Sequence, residues 1–143
     1  MSNMFEIVAL MILSQQPLLT HTPSANAVKE PLPLIAEGIA SYYTIKSSGR
    51  VTASGELLDD DELTCALPAG KFGDFFLIVA SNGKSVVCRL NDRGPHAKKR
   101  VVDLSEAAMR KLHHNAGLLK VKVYKLGKNP GDPDLLAQIA KNN

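Results

Sequence analysis

"FFLIVASNGKSVVCRLNDRGPH", residues 75–96, holds two apolar runs on either side of a four-residue break, then stops on an acid, a base, a glycine and a proline. Residues 75–80 and 85–90 are rich in the branched and aromatic side chains that suit strands. Between them, the Asn82-Gly83 pair accommodates the positive φ angles of a tight turn, so the stretch reads as a β-hairpin. The second strand is expected to end at Asn91, which places Asp92 and Arg93 at the mouth of whatever sheet or barrel the hairpin joins. Asn, Asp, Gly and Pro each favour non-repetitive backbone for their own steric reasons. "NDRGPH" is therefore a turn, and its charged pair makes it a candidate site as well.

Toward the N-terminus, residues 39–45 follow Gly38 as a β-like run that Ser47-Ser48-Gly49 breaks. Residues 51–56 read as a loop or bulged strand whose small side chains let another backbone or a ligand approach closely. Residues 67–70 form another turn. Toward the C-terminus, one solid helix is expected over about residues 103–114. Asp103 can cap it, Glu106 completes a capping-box spacing, and Leu104, Ala107, Ala108 and Leu112 share one face before Gly117 stops it. That assigns Asp103 a structural duty rather than a catalytic one. His113 and His114 suit the helix's C-terminal dipole better than a metal site. Residues 119–123 alternate apolar with basic, as a half-buried closing strand does, and a short helix is expected over residues 134–140. The fold class is thus mainly β, a small closed barrel with a helix across one end.

The chain's 143 residues, 45% of them hydrophobic, are one domain's worth of material with enough apolar surface for a core. A net charge of +3 without a basic stripe argues against nucleic acid as a partner, and Lys98-Lys99-Arg100 reads as a solvated loop. Residues 7–13 form an apolar run too brief to cross a bilayer, and Ala25-Asn26-Ala27 offers small residues that a signal peptidase accommodates. Residues 1–27 are therefore read as a signal peptide, 28–37 as a linker, 38–126 as the barrel and 127–143 as a C-terminal tail. The mature chain is expected to be exported, periplasmic or cell-wall associated, without an integral membrane segment. With no cysteine near the apolar run, it is not expected to be a lipoprotein. Cys65 and Cys88 could join in a disulfide in an oxidising compartment, or persist as inert thiols in a cytosol. They are too few, and wrongly spaced, for a zinc site built on sulfur.

Glu56, Asp74, Asp92, Asp103 and the run Asp59-Asp60-Asp61-Glu62 are the acids available for chemistry. The run is expected to be solvated, because like charges in series are costly to bury. Glu56 and Asp92 each stand beside glycine and small or turn residues at the edge of a strand. Two carboxylates so placed can face each other across a barrel mouth. They are the minimum kit for cleaving a glycosidic bond, one protonating the leaving oxygen and the other stabilising charge at the anomeric carbon. Arg93 could pair with Asp92, fasten the loop, or fork onto a sugar carboxylate.

Six short words, Gly38-Ile39-Ala40-Ser41-Tyr42-Tyr43, Thr52-Ala53-Ser54-Gly55-Glu56, Leu67-Pro68, Gly83-Lys84-Ser85-Val86-Val87, Asn91-Asp92-Arg93-Gly94-Pro95 and Val102-Asp103-Leu104-Ser105, together resemble in order the rare lipoprotein A family. The likeness covers about residues 38–126. It implies a six-stranded double-psi β-barrel, related in fold to expansins and barwin-like domains. It also implies an endolytic transglycosylase that cuts the MurNAc–GlcNAc bonds of peptide-stripped glycan strands without water and leaves 1,6-anhydro ends. The family's essential acids match Glu56 and Asp92, and Tyr42, Thr52, Ser54 and Arg93 are expected to contact substrate. The implied partner is peptidoglycan, the implied chain a monomer, and no cofactor or metal is called for. The alternative reading is a non-catalytic, wall-binding or wall-loosening barrel. The sequence departs from the family pattern where Thr64-Cys65-Ala66 runs directly into Leu67-Pro68, without the histidine that usually precedes the Leu-Pro pair. The chain is also expected to lack the glycan-binding SPOR domain of longer members.

Overall fold

The hairpin forms as its two apolar runs require. In the computed structural model, which describes residues 31–142, its strands pair antiparallel with Ile78 opposite Val86 and Val79 opposite Ser85. The turn differs in one detail from the expected one. Gly83 alone takes a positive φ, 85°, while the Asn82 side-chain oxygen accepts from the Lys84 N–H at 2.9 Å. Ala80 N–H donates to the Lys84 carbonyl at 2.8 Å and Gly83 N–H to the Ala80 carbonyl at 2.9 Å. This is a three-residue loop with glycine in the left-handed position, so Asn82 contributes its side chain rather than its backbone.

In chain order the elements are β1 Leu34–Tyr43, α1 Ile45–Ser48, β2 Thr64–Ala66, β3 Phe75–Ala80, β4 Ser85–Asp92, β5 Arg100–Ser105, α2 Glu106–Leu112, β6 Leu118–Gly127 and α3 Pro133–Lys141. The six strands close into a barrel in the order β1-β5-β2-β4-β3-β6, the mainly β, six-stranded architecture expected. β1 with β5 and β2 with β4 run parallel, and the other four pairs antiparallel. The signal-peptide reading of residues 1–27 lies outside the described residues. Residues 34–37, assigned to the linker, belong instead to β1, which pairs with β6 from Leu34 onward. The two prolines end the linker at position 33, because once past them every backbone N–H is again free to donate.

Side-chain alternation sorts the strands' two faces. Phe76, Ile78 and Ala80 of β3 join Val86, Cys88 and Leu90 of β4 inside the barrel, while Leu77 points outward against Tyr124 and Leu136. A strand apolar on both faces reads as one continuous run, and α3 is what covers the second face. Asp132 caps α3, accepting from the N–H groups of Asp134 and Leu135. α2 closes one end of the barrel with Ala108, Met109 and Leu112, all fully buried.

Two expectations are overturned around α2. Asp103 does not cap it, because it lies inside β5, opposite Ser41 of β1; the cap is Ser105, whose hydroxyl accepts from the Ala108 N–H at 3.2 Å. Residues 102 and 104 bury completely in the barrel, and pairing them against β1 and β2 outweighs a local capping pattern. The helix accordingly runs only over Glu106–Leu112, and Arg100 of the basic triplet starts a strand instead of sitting in a solvated loop.

Gly38 sits where β1 crosses the start of β5. A Cβ at Gly38 would lie 2.9 Å from the Lys99 carbonyl oxygen and 2.7 Å from Val101 Cγ1, and Ile39 N–H already donates to that carbonyl at 2.9 Å. Gly38→Ala is expected to destabilise the domain by about 1–3 kcal/mol, seen as a lower urea midpoint at unchanged slope. Gly117→Ala, where a Cβ meets nothing within 4 Å, should stay within about 0.5 kcal/mol of the parent.

Candidate active site

Residues 51–57 form a tight, self-bonded loop. A Val51–Leu57 bridge closes its base, the Thr52 N–H and hydroxyl both donate to the Glu56 carbonyl, at 3.0 and 2.8 Å, and Gly55 turns the chain at φ 87°. The Ser54 hydroxyl lies 2.9 Å from that of Thr52 and accepts from the Glu56 N–H at 3.3 Å. The loop then docks on the end of β4. Ser54 N–H donates to the Asn91 carbonyl at 3.2 Å, and Ala53 N–H to Asp92 Oδ1 at 2.9 Å. The two sequence words carrying Glu56 and Asp92 are thus hydrogen-bonded to one another across 39 positions.

The two acids have different surroundings. Glu56 is held by β4, whose Arg89 and Asn91 share a face because side chains two apart on a strand point the same way. Arg89 Nη1 donates to both Glu56 oxygens, at 2.6 and 2.9 Å, and Asn91 Nδ2 to Oε2 at 3.3 Å. The Arg89 guanidinium holds the Glu56 carboxyl below its usual range against the opposing effect of burial, and the Asn91 amide adds a smaller contribution in the same direction as the guanidinium. The Arg89 guanidinium is raised in turn, chiefly by its hydrogen bond to Glu56. Glu62 adds a longer contact to Arg89 at 3.5 Å. Asp92 meets no cation: Oδ1 accepts from the backbone N–H groups of Ala53 and Arg93, at 2.9 and 2.8 Å, and Oδ2 takes no hydrogen bond among the described residues. A bound cation therefore favours the anion of one carboxylate, and the other keeps an oxygen without a partner among the described residues.

The remaining candidates divide. Ser54 lies in the same loop as Glu56. Thr52 is buried and its hydroxyl is used within the loop, so it shapes the turn. Arg93 fastens a neighbouring loop: its Nη2 donates to the Gly70 carbonyl at 2.7 Å and its guanidinium stacks 4.1 Å above the Phe72 ring. Tyr42 packs against the core beneath the Arg110 guanidinium, 4.7 Å from the ring centroid.

Its neighbour Tyr43, on the opposite face of β1, is the tyrosine that feels the acid. The Tyr43 hydroxyl is buried without a partner among the described residues. Burial, and then the charges of Asp92, Cys65 and Asp103, push its phenol far above the usual range. The Thr64 hydroxyl near it is likewise buried without a hydrogen-bond partner among the described residues. On that same face of β1, the Ser41 hydroxyl donates to Asp103 Oδ1, and Asp103 Oδ2 lies 3.3 Å from where a Cβ on Gly94 would stand.

Sequence reasoning missed Arg89, Asn91, Tyr43 and the true place of Asp103. The available signal for the first two was the every-second-residue spacing of polar side chains at 89 and 91, just ahead of Asp92. Nothing local tells Tyr43 from Tyr42. The acidic run is mostly exposed, as expected, although Asp60 fastens α1 by accepting from the Ile45 N–H at 3.0 Å. No cluster of three or more His, Cys, Asp or Glu able to hold a metal occurs among the described residues.

The family model described as lytic transglycolase matches residues 35–123, from the start of β1 into β6. The chain is 43% identical over 112 residues to a "Probable endolytic peptidoglycan transglycosylase RlpA" of Treponema pallidum, covering 77% of this chain and 34% of that protein. It is 35% identical over 112 residues to the endolytic peptidoglycan transglycosylase RlpA of Haemophilus influenzae, covering 76% and 38%. The chain thus spans about a third of the length of the curated relatives it matches. Among solved structures, a Streptomyces papain inhibitor superposes with TM-score 0.51 at 22% identity, over 66% of this chain and 98% of that one. A Clavibacter michiganensis expansin superposes with TM-score 0.50 at 21% identity, over 63% and 49%. Both share the fold. With the match running through all six strands of the closed barrel, the chain belongs to the lytic transglycolase family of RlpA-like double-psi β-barrels.

Proposed function

We propose that this chain is an endolytic peptidoglycan lytic transglycosylase that cuts MurNAc–GlcNAc bonds of peptide-stripped glycan strands. The observation that carries the reading is the unequal pair of carboxylates on two mutually hydrogen-bonded segments: Glu56 clamped as an anion by Arg89 and Asn91, and Asp92 with Oδ2 unengaged. A carboxylate held by a cation and one with an unengaged oxygen are suited to different roles. The names of the relatives support the same substrate, which would place the protein outside the cytoplasmic membrane. No described helix is long and apolar enough to cross a membrane.

In this mechanism Asp92 is the general acid, giving a proton from Oδ2 to the glycosidic oxygen as the bond to the muramyl anomeric carbon breaks. The ionised Glu56 stabilises positive charge developing at that carbon. The muramyl 6-hydroxyl then attacks the anomeric carbon and closes the anhydro ring, and its proton passes to the Asp92 carboxylate. The acid is restored and no water is consumed. Ser54, on the loop that carries Glu56, would meet a sugar hydroxyl. Thr52 shapes the turn that carries Glu56, and Arg93 fastens the neighbouring loop at Gly70.

The full-length chain incubated with peptide-stripped glycan strands should release fragments with 1,6-anhydro-muramyl ends, detected by mass spectrometry. Asp92→Asn, which keeps an oxygen for both backbone donors, should lower that rate by roughly 100-fold or more without loss of fold by circular dichroism. Full activity in that variant would remove Asp92 from the acid's role. Strands that stay intact yet pull the protein down would instead mark a binding barrel, the reading favoured by Leu67 following Ala66 without the family's histidine.

The pH profile separates the two acids. Glu56 must stay ionised, and its depressed carboxyl keeps it so to below the ordinary value of 4.5. Arg89→Met removes the countercharge, so the acidic limb of the rate profile should move to higher pH. A limb that stays where it was would mean that another group sets it.

A further inference from the structure

Cys65 of β2 and Cys88 of β4 meet inside the barrel, both fully buried within the main core cluster. Their sulfur atoms stand 2.7 Å apart, closer than two non-bonded sulfurs rest and not far beyond the covalent separation of about 2.05 Å. They are the chain's only two cysteines, so neither has a competing intramolecular partner. We propose that Cys65 and Cys88 form a disulfide that staples β2 to β4 when the chain folds in an oxidising compartment.

The staple would lie on the strand that carries the site. Cys88 immediately precedes Arg89, the cation on Glu56, and Cys65 pairs in the parallel ladder with Leu90, whose chain runs on into Asn91 and Asp92. β2 is only three residues long, so a covalent tie would supply what its few ladder bonds cannot. β2 would then be held against β4 at the level where the Glu56 clamp begins.

The oxidant is a small-molecule or protein disulfide. One cysteine thiolate attacks a sulfur of that disulfide, forming a mixed disulfide and releasing one thiol. The second cysteine thiolate then attacks the protein sulfur of the mixed disulfide, forming the Cys65–Cys88 bond and releasing the second thiol. The two protons lost by the cysteines end on the two released thiols, and the two electrons with them. Within the folded barrel, burial and the neighbouring Cys88 thiol disfavour the Cys65 thiolate, and no exchange partner can reach sulfurs this deep. The exchange therefore belongs to the unfolded or partly folded chain, and the finished bond is structural.

The test uses the full-length chain, unfolded in urea and refolded in mixed reduced and oxidised glutathione or, in parallel, in excess dithiothreitol. Each sample is then denatured and treated with N-ethylmaleimide. The glutathione sample should take up no maleimide, weigh two hydrogens less than the reduced chain, and give one proteolytic peptide pair joining Cys65 to Cys88. Its melting temperature should exceed that of the reduced sample by roughly 10 °C, the effect of closing a loop of about two dozen residues. The double variant Cys65→Ala, Cys88→Ala should melt at one temperature in both buffers, which separates the bond from any effect of the buffer. Two maleimide-labelled cysteines after glutathione refolding would overturn the proposal. So would glutathione carried separately on each cysteine, or refolding that succeeds only in dithiothreitol. None of these readouts involves glycan cleavage, so the outcome is independent of the proposed activity.

Discussion

The loop of residues 51–57 reaches β4 through two backbone donors, Ala53 N–H to Asp92 Oδ1 and Ser54 N–H to the Asn91 carbonyl, and the rest of the site hangs on that docking. A β-strand that is about to leave its sheet has unpaired groups at its last residues. Here the Asn91 carbonyl is taken up by the loop and the Asp92 carbonyl by Leu67 N–H just past β2, so the chain that carries one acid is tied directly to the end of the strand that carries the other. Asp92 is thereby oriented by peptide groups, which bring no charge, while Glu56 is brought alongside the polar face of β4.

Charge then divides the labour. Arg89 and Asn91 project from the same strand as Asp92, yet both act on Glu56. A guanidinium bound to both oxygens of a carboxylate stabilises the anion much more than it stabilises the neutral acid. With the cation spent on Glu56 and Glu62, Asp92 is left with dipoles alone, and Arg93, the nearest arginine in sequence, turns away to Gly70 and Phe72. One strand end thus creates two electrostatic environments within a few residues.

A polar seam supports the acid-bearing turn from beneath. Ser41 and Tyr43 on β1, Thr64 on β2 and Asp103 on β5 contribute it. Gly94, at φ 135°, passes over Asp103 closely enough that a side chain there would press on the carboxylate. The turn following Asp92 is therefore seated on a hydrogen-bonded pair, Ser41 and Asp103, that joins two parallel strands. Closing the barrel and positioning the turn are one structural event.

What could be read in the sequence follows from short-range physics. Alternation and turn chemistry marked the β3–β4 hairpin, the closing strand β6 and the C-terminal helix, because each depends on side chains a few residues apart. The pairing of glycine-flanked acids singled out Glu56 and Asp92, and the ordered words placed them in a known barrel. Only the tertiary structure decided the rest. Asp103 looked like a helix cap because the capping pattern is local, whereas its partner Ser41 is 62 positions away. Tyr43 rather than Tyr42 faces the acid because strand parity is set by the pairing of β1 with β5 and β6. The Arg89 clamp on Glu56 spans 33 positions. The sequence by itself determined the β3–β4 hairpin, the closing strand and the two acids of interest; β2, β5 and the side chains those acids meet were settled by barrel closure, since contacts between distant strands exist only once the ladder is complete.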